Sequence, residues 1–153
     1  MSVAFRRDGD EEHLEPKFEV PIPPGPNLVT AAGMTLIEER IEALDARIAT
    51  ISDETTLAAA RRDLRYWRNR LATAELQSTP TGSTVQFGSR VRFTLNGKPR
   101  EIVIVGHDEA DPARNRLAFT APLARALLGG EAGDITDFGG CEDAIEIVEV
   151  TPA

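Results

Sequence analysis

The feature that most constrains this sequence is a pair of apolar repeats in its first half. In each repeat, apolar side chains recur at alternating spacings of three and four residues. This heptad spacing predicts two amphipathic helices that pack along a coiled-coil seam. The first seam comprises Met34, Ile37, Ile41, Leu44, Ile48 and Ile51, and the second comprises Leu57, Ala60, Leu64, Trp67, Leu71 and Ala74.

Only "SDETT", residues 52–56, separates the two seams, so the helices must be antiparallel neighbours. When the seams are paired outward from this turn, the residue numbers of all six facing pairs add up to 108. A constant sum is what an antiparallel register requires. We therefore predict a coiled-coil hairpin over residues 34–77 with its tip at residues 52–56.

The same register makes predictions for charged residues beside the seam. It places Asp45 opposite Arg61, and it places Arg40 near Arg70 as a pair of like charges outside the apolar core. Exposed pairs of opposite charge contribute only about 0.2–1 kcal/mol each, so we expect them to set register more than stability.

Two adjacent carboxylates, Asp53 and Glu54, stand at the predicted tip. One interpretation is local, with Ser52 or Asp53 capping the second helix and Glu54 interacting favourably with its N-terminal dipole. The other is that Asp53 and Glu54 are oxygen ligands presented at the end of a probe. The residues alone leave both interpretations open.

The second helix contains the only basic part of an acidic chain. The whole chain has a net charge of −8, whereas five arginines against two acidic residues give residues 55–78 a net charge of +3. A chain this acidic is not expected to bind nucleic acid over its whole surface. We expect Arg62 and Arg65 on the outer surface, either as a solvated face or as a contact for an acidic partner.

The hairpin is flanked by an acidic, proline-rich tail at residues 1–33 and by a linker at residues 78–83. Prolines in the tail exclude a helix there and favour an extended or disordered segment. Residues 84–153 alternate between strand patterns, including a hairpin around Asn96-Gly97. Between them, "APLARALLGG" predicts one short helix on an antiparallel sheet, so the fold class is α+β.

Several kinds of chemistry are not indicated by the residues. His13, His107 and Cys141 lie in unrelated segments, so they do not form a zinc set. No glycine-rich phosphate loop, nucleophile elbow, secretory signal or run long enough for a membrane span is visible. We therefore expect a cytoplasmic protein that is not an enzyme by itself, has no cofactor of its own and does not contact a membrane.

One stretch carries a family resemblance. "GHDEADPARNRLAFTAPLARALLGGEAGD", residues 106–134, resembles the C-terminal domain of the GreA/GreB transcription elongation factors, which read G-x-D-E-A-D-P, a strand, and then S-P-L/I-x-x-A-L-L-G with G-D shortly after. The resemblance is specific over about residues 84–150 and only architectural over the hairpin. The matching residues are Gly106, Asp108, Glu109, Ala110, Asp111, Pro112, Pro122, Leu123, Ala126, Leu127, Leu128, Gly129, Gly133 and Asp134.

The resemblance implies an FKBP-like C-terminal domain that docks on RNA polymerase at the rim of the secondary channel, while the coiled coil enters the channel. In that arrangement the resemblance implies that the tip carboxylates Asp53 and Glu54 share a catalytic Mg²⁺ with the polymerase. Mg²⁺ prefers carboxylate, water and phosphate oxygens as ligands. The resemblance also implies that the factor contacts nucleic acid only indirectly, through the elongation complex. The sequence leaves the oligomeric state open, and we expect a monomer because an intramolecular hairpin needs no partner helix. The polymerase contacts implied for this chain are Thr120, Ala121 and Pro122, together with Asp111 and Pro112.

The sequence also departs from the family. Ala121 stands where the family usually has serine, the family's acidic tip motif is absent, and the predicted hairpin is shorter by at least one heptad per arm. Each missing heptad removes about 10 Å of reach. The leading hypothesis is thus a divergent, short-hairpin regulator that occupies the channel without cleavage. The alternatives are a genuine transcript-cleavage factor and, less favoured because residues 79–153 contain no Tyr or Trp, an FKBP-like prolyl isomerase.

Overall fold

The structure is a computed structural model, and it describes residues 19–153. It consists of a helical hairpin joined to a five-stranded sheet that carries one short helix. In chain order the elements are β1 (Leu28–Val29), α1 (Ala31–Ile48), α2 (Glu54–Thr73), β2 (Glu75–Leu76), β3 (Ser89–Leu95), β4 (Lys98–Val105), two 3₁₀ turns (His107–Glu109 and Pro112–Arg114), β5 (Arg116–Ala118), α3 (Pro122–Leu127), β6 (Ile135–Phe138) and β7 (Cys141–Pro152).

The predicted antiparallel hairpin is present, and the half of it nearest the tip follows the predicted seam. Leu44, Ala60 and Leu64 are buried between α1 and α2. Ile41, Ile48, Ile51 and Trp67 pack around this cluster, in agreement with the paired register. At 1.5 Å per residue, the 18 residues of α1 and the 20 of α2 give arms of about 27–30 Å.

The base of the hairpin differs from the prediction. Leu71 was expected in the seam, but it is 38% exposed, whereas Arg70, expected outside the seam, is only 2% exposed. Because an α-helix has 3.6 residues per turn, a strict heptad seam drifts around a straight helix, and at this depth Arg70 faces inward instead. The charged flank also shifts, since Asp45 pairs with Arg68 at 3.3 Å and not with Arg61.

Helix α1 begins at Ala31, three residues before the predicted start of the seam at Met34. The predicted tail of residues 1–33 therefore extends into the helix by three residues. Thr30 caps α1 by accepting a hydrogen bond from the backbone amide of Gly33 at 3.0 Å. Just before it, β1 pairs in parallel with β2, with Leu28 opposite Glu75. The chain therefore enters and leaves the hairpin side by side. The part of the predicted tail at residues 1–18 lies outside the described residues.

The C-terminal sheet has the strand order β5-β4-β3-β7-β6. The predicted hairpin turn is confirmed, because Asn96 and Gly97 have φ angles of 51° and 83°, as a type I′ turn requires. The sheet is mixed and not purely antiparallel, since β5 runs parallel to β4. The reason is the connection between them, in which the two 3₁₀ turns carry the chain back before β5 begins.

The predicted short helix is α3, which begins at Pro122 and is followed by Gly129 with a φ of 85°. Its Ala124 and Leu127 are fully buried against the inner face of the sheet. The other buried members of this core are Val85, Val91, Phe93, Ile102, Ile104, Ile145 and Ile147. No helix within residues 19–153 is long and apolar enough to cross a membrane.

Candidate functional site

The loop that follows β4 joins the hairpin to the C-terminal domain through a buried ion pair. The Asp108 carboxylate accepts a hydrogen bond from Nε of Arg70 at 2.6 Å and another from the Tyr66 hydroxyl. The Asp108 side chain is 8% exposed and that of Arg70 is 2% exposed. Nη2 of Arg70 also donates to Oδ1 of Asn27 at 2.7 Å, so the guanidinium is held from two sides.

A second contact lies one residue further along this loop. The Thr30 hydroxyl donates to Oε2 of Glu109 at 2.7 Å, across a separation of 79 residues in sequence. Gly33, on the first turn of α1, faces the same carboxylate, and a Cβ there would lie 2.6 Å from Oε2. Thr30 thus both caps α1 and ties it to the loop.

The contacts of Asp108 and Glu109 with the hairpin form what we call the joint. Gly106, the glycine that opens the motif, also belongs to it. The backbone of Gly106 is ordinary, with φ of −78°. However, a Cβ at Gly106 would lie 2.2 Å from the carbonyl oxygen of Leu28 in β1. The position therefore requires glycine because another backbone passes there, not because of a special turn.

The "DEADP" motif is thus divided between two directions. Asp108 and Glu109 turn towards the hairpin. Asp111 is half-buried and lies 3.6 Å from Nε of Arg114, and Pro112 is exposed at the start of the second 3₁₀ turn. The first two acidic residues are structural partners, and the last two residues of the motif lie on the surface.

The other predicted docking residues form the turn between β5 and α3. Thr120 and Pro122 are exposed, and Ala121 is half-buried against the core. Ala121 occupies the N-cap position of α3 without a side-chain hydrogen bond. The three residues of β5, an edge strand, separate this turn from Asp111 and Pro112 by about 10 Å. The structure therefore brings all five predicted docking residues to the two ends of one edge strand.

At the hairpin tip, Asp53 acts as the N-cap of α2. Its Oδ2 accepts hydrogen bonds from the backbone amide and the hydroxyl of Thr56 at 2.8 and 2.7 Å. These bonds, first the one from the amide, hold the pKa of Asp53 below its ordinary value. Glu54 is exposed in the first turn of the same helix. A metal ion at Asp53 would have to bind through Oδ1 or compete with Thr56.

Nothing in the described part of the chain gathers a metal site by itself. Among residues 19–153, no group of three or more His, Cys, Asp or Glu side chains converges on one point. Asp53 and Glu54 fit a shared Mg²⁺ only in the sense that carboxylates are suitable ligands and that other ligands would come from a partner.

The basic contact face is more occupied than the sequence predicted. Arg65 is exposed, as expected, but its Nε and Nη2 donate to the Glu19 carboxylate at 2.7 and 2.8 Å. This bidentate bond lowers the pKa of Glu19 and raises that of Arg65. Arg62 lies half-buried near the same carboxylate, and its charge also lowers the pKa of Glu19. An acidic partner would have to displace Glu19 to reach Arg65.

Sequence reasoning missed the residues of the joint, namely Asn27, Thr30, Tyr66 and Arg70. The available signal was the motif itself, which places two acidic residues directly after a buried strand. Because acidic residues are usually exposed, the motif alone gave no reason to expect Asp108 and Glu109 to be partners of the hairpin. Their partners lie 38 to 79 residues away, so no local spacing connects them.

Comparison with known proteins adds a family. Residues 79–152 match the family described as "Transcription elongation factor, GreA/GreB, C-term". The chain is 30% identical over 123 residues to the transcription elongation factor GreA of Mycoplasma capricolum, a match that covers 72% of this chain and 77% of that protein. It is 38% identical over 77 residues to GreA of Sinorhizobium medicae, covering 48% of this chain and 49% of that protein. The chain thus spans about half the length of some of its curated relatives.

Solved structures similar to this chain carry related names. A prokaryotic transcription elongation factor GreA/GreB from Nitrosomonas europaea is 23% identical, with a TM-score of 0.41, over 82% of this chain and 98% of that one. GreA factor homologue 1 of Thermus thermophilus is 18% identical, with a TM-score of 0.39, over 83% of this chain and 99% of that one.

Proposed function

Because this chain belongs to the GreA/GreB family of transcription elongation factors, we propose that it binds RNA polymerase at the secondary channel and regulates elongation there. Its FKBP-like C-terminal domain docks on the channel rim, and its hairpin enters the channel. The factor acts as a cytoplasmic monomer and meets nucleic acid only through the elongation complex. Any RNA cleavage is carried out by the polymerase.

The observation that carries this proposal is the pairing of two surfaces on one molecule. The turn at Thr120, Ala121 and Pro122 and the loop at Asp111 and Pro112 flank the edge strand β5. The hairpin leaves the same domain as an arm of about 27–30 Å with a carboxylate at its end. A docking surface beside a narrow probe is suited to a partner that has both a rim and a channel.

We favour a regulator that occupies the channel over a factor that stimulates cleavage. Metal ligation requires contact at about 2.1 Å, so an arm that stops short of the metal by one heptad cannot supply a ligand. The Asp53 carboxylate is in addition already engaged with Thr56. Both features reduce the capacity of the tip to hold Mg²⁺.

The deciding experiment uses a backtracked elongation complex with end-labelled RNA and Mg²⁺. The protein is added alone and then together with a cleavage-competent Gre factor, and RNA length is followed. We expect no shortening by this protein alone and inhibition of the added factor. Shortening that is lost in Asp53→Asn/Glu54→Gln would make it a cleavage factor, because asparagine keeps the helix cap while the charge is removed. If the protein neither shortens the RNA nor inhibits the added Gre factor, the proposal is refuted.

The docking surface can be tested by substitution at the turn before α3. We expect Pro122→Ala and Ala121→Asp to weaken binding to RNA polymerase about tenfold, or about 1.4 kcal/mol, as for single contacts at an interface. Binding is measured by competition with a labelled Gre factor. Glu142→Gln, an exposed change at the start of β7, serves as the control. Unchanged affinity in both turn variants would contradict the assignment.

A further inference from the structure

We propose that Asp108 and Arg70 are positioning residues, which fix the direction of the hairpin relative to the C-terminal domain. The motif that contains Asp108 is thereby divided by role: its first two acidic residues aim the probe, and Asp111 and Pro112 are left for docking. The inference about docking rests on the proposed function, but the inference about direction does not.

The first argument is the way in which Asp108 is held. Its carboxylate is contacted from α2 by both Arg70 and Tyr66, and Arg70 is contacted in turn by Asn27. Asn27 also donates to the backbone carbonyl of Arg70 at 2.8 Å and to the hydroxyl of Thr73 at 3.1 Å. The network thus joins three separate segments, and a buried charge without its partner is strongly unfavourable. Rotation of the hairpin would break the network.

The second argument is that the joint has more than one attachment. Glu109 holds the N-terminus of α1 through Thr30, at a different point from the contact between Asp108 and α2. Two fixed points, one on each helix, determine a direction in a way that one point cannot. Residues 77–88, which connect β2 to β3, contain no helix or strand and by themselves would leave the direction open.

The length of the arm makes this direction important. With an arm of about 27 Å, a tilt of about 10° displaces the tip by about 5 Å. That displacement exceeds the length of a hydrogen bond, about 3 Å, so a contact made by the tip in one direction is lost in the other. The contacts of Asp108 and Glu109 with the hairpin, called the lock from here on, therefore determine where the tip lies once the C-terminal domain has docked.

The direction can be measured on the full chain without polymerase. One spin label is placed on Cys141, which is exposed where β7 begins opposite Phe138 of β6, and the other on Thr55→Cys near the tip. We expect a narrow distribution of distances in the otherwise unchanged protein and a broad one in Asp108→Asn and Arg70→Lys. Glu101→Gln, which breaks an exposed ion pair with Arg90, is the matched control and should leave the distribution narrow.

A second variant keeps the test decisive if Asp108→Asn does not fold. Tyr66→Phe removes only the hydroxyl that donates to Asp108, and we expect an intermediate width. Circular dichroism verifies helix content in each variant. If Asp108→Asn folds, a distance distribution as narrow as that of Glu101→Gln would overturn the proposal. If Asp108→Asn does not fold, the same result in folded Tyr66→Phe would overturn it.

Polymerase binding separates this inference from the proposed function. If the hairpin of Asp108→Asn or Tyr66→Phe is correctly aimed only about one tenth of the time, apparent affinity falls about tenfold. A narrow distribution in every folded variant, together with normal binding, would refute the lock and leave the proposed function standing. A broadened distribution together with no binding by the unchanged protein would support the lock and refute the function.

Discussion

At the scale of single residues, the joint depends on a glycine that has no unusual backbone angle. A methyl group at Gly106 would lie 2.2 Å from the carbonyl oxygen of Leu28, and backbone cannot move aside as a side chain can. Position 33 offers a contrast, because there a methyl group would meet the carboxylate of Glu109, the end of a flexible side chain. Both positions are glycine, but only Gly106 faces a rigid obstacle.

We therefore expect Gly106→Ala to lower the free energy of unfolding by about 1–3 kcal/mol, as overpacking does. Gly33→Ala should cost less, because alanine also favours the helix. Urea denaturation of both variants measures the difference. Equal costs would mean that β1 can shift to relieve the contact.

The phenol of Tyr66 provides a pH-dependent test of the same joint. Burial and the hydrogen bond to Asp108 raise the pKa of Tyr66 to about 12 from an ordinary value of 10.0. A raised pKa means that the folded state retains its proton longer than the unfolded state. The resulting stability is fully present below pH 10 and is lost as pH rises towards 12.

Since the chain contains one tyrosine, tyrosinate absorbance reports this group alone. We expect half-ionisation near pH 12 in the folded protein and a steeper loss of stability between pH 10 and 12 than in Tyr66→Phe. Ionisation near pH 10 while the protein remains folded would show that the phenol is not held by Asp108.

The identity of these residues shows what sequence can and cannot reveal at this scale. The cap at Asp53 was predictable, because a capping side chain bonds within three residues of itself. The burial of Arg70 was not, because arginine is rarely buried without a partner and its partner Asp108 is remote in sequence. Neither residue type nor periodicity carries that information.

At the scale of elements, the seam of the hairpin is kept on both arms near the tip but only on α1 at the base, where Ile37 is buried and Leu71 of α2 is exposed. Leu64 is 7% exposed in the hairpin core, whereas Leu71, one heptad later, is 38% exposed. The register of the hairpin followed from the sequence because it depends only on local periodicity. The end of the seam did not, because it is set by contact with another domain.

We expect Leu64→Ala to lower the free energy of unfolding by about 2–5 kcal/mol, as for a buried leucine. Leu71→Ala should change it by no more than about 0.5 kcal/mol. The two positions are equivalent in the heptad pattern, so each is the control for the other. Similar losses in thermal denaturation would restore the seam as first predicted.

The sheet illustrates a similar division. Its strands and the Asn96-Gly97 turn were predictable from alternation and turn chemistry. The direction of β5 was not, because a segment of three residues can pair either way and its orientation is decided by the 3₁₀ turns that precede it. Element identity came from sequence, and this part of the topology came from tertiary contacts.

At the scale of the whole molecule, the side chains of Asp108 and Glu109 and the packing of β1 on Gly106 join the hairpin to the C-terminal domain. We expect the two parts to unfold together. Fluorescence of Trp67, the only tryptophan in the chain, reports the hairpin. Hydrogen exchange at Ile104, which is buried in β4, reports the sheet.

Both probes should give the same midpoint in denaturant, as two-state unfolding requires. In Asp108→Asn the hairpin should unfold at a lower midpoint than the sheet. Separate midpoints in the unchanged protein would mean that the joint is too weak to couple the two parts.

The parallel pair β1–β2 has a further consequence. Because the chain enters and leaves the hairpin at neighbouring positions, the segment between Thr30 and Ala74 begins and ends at one place in the fold. Paired insertions or deletions of seven residues in the two arms preserve the seam and leave the β1–β2 pair unchanged. Evolution can therefore change the length of the hairpin without changing the C-terminal domain that carries it.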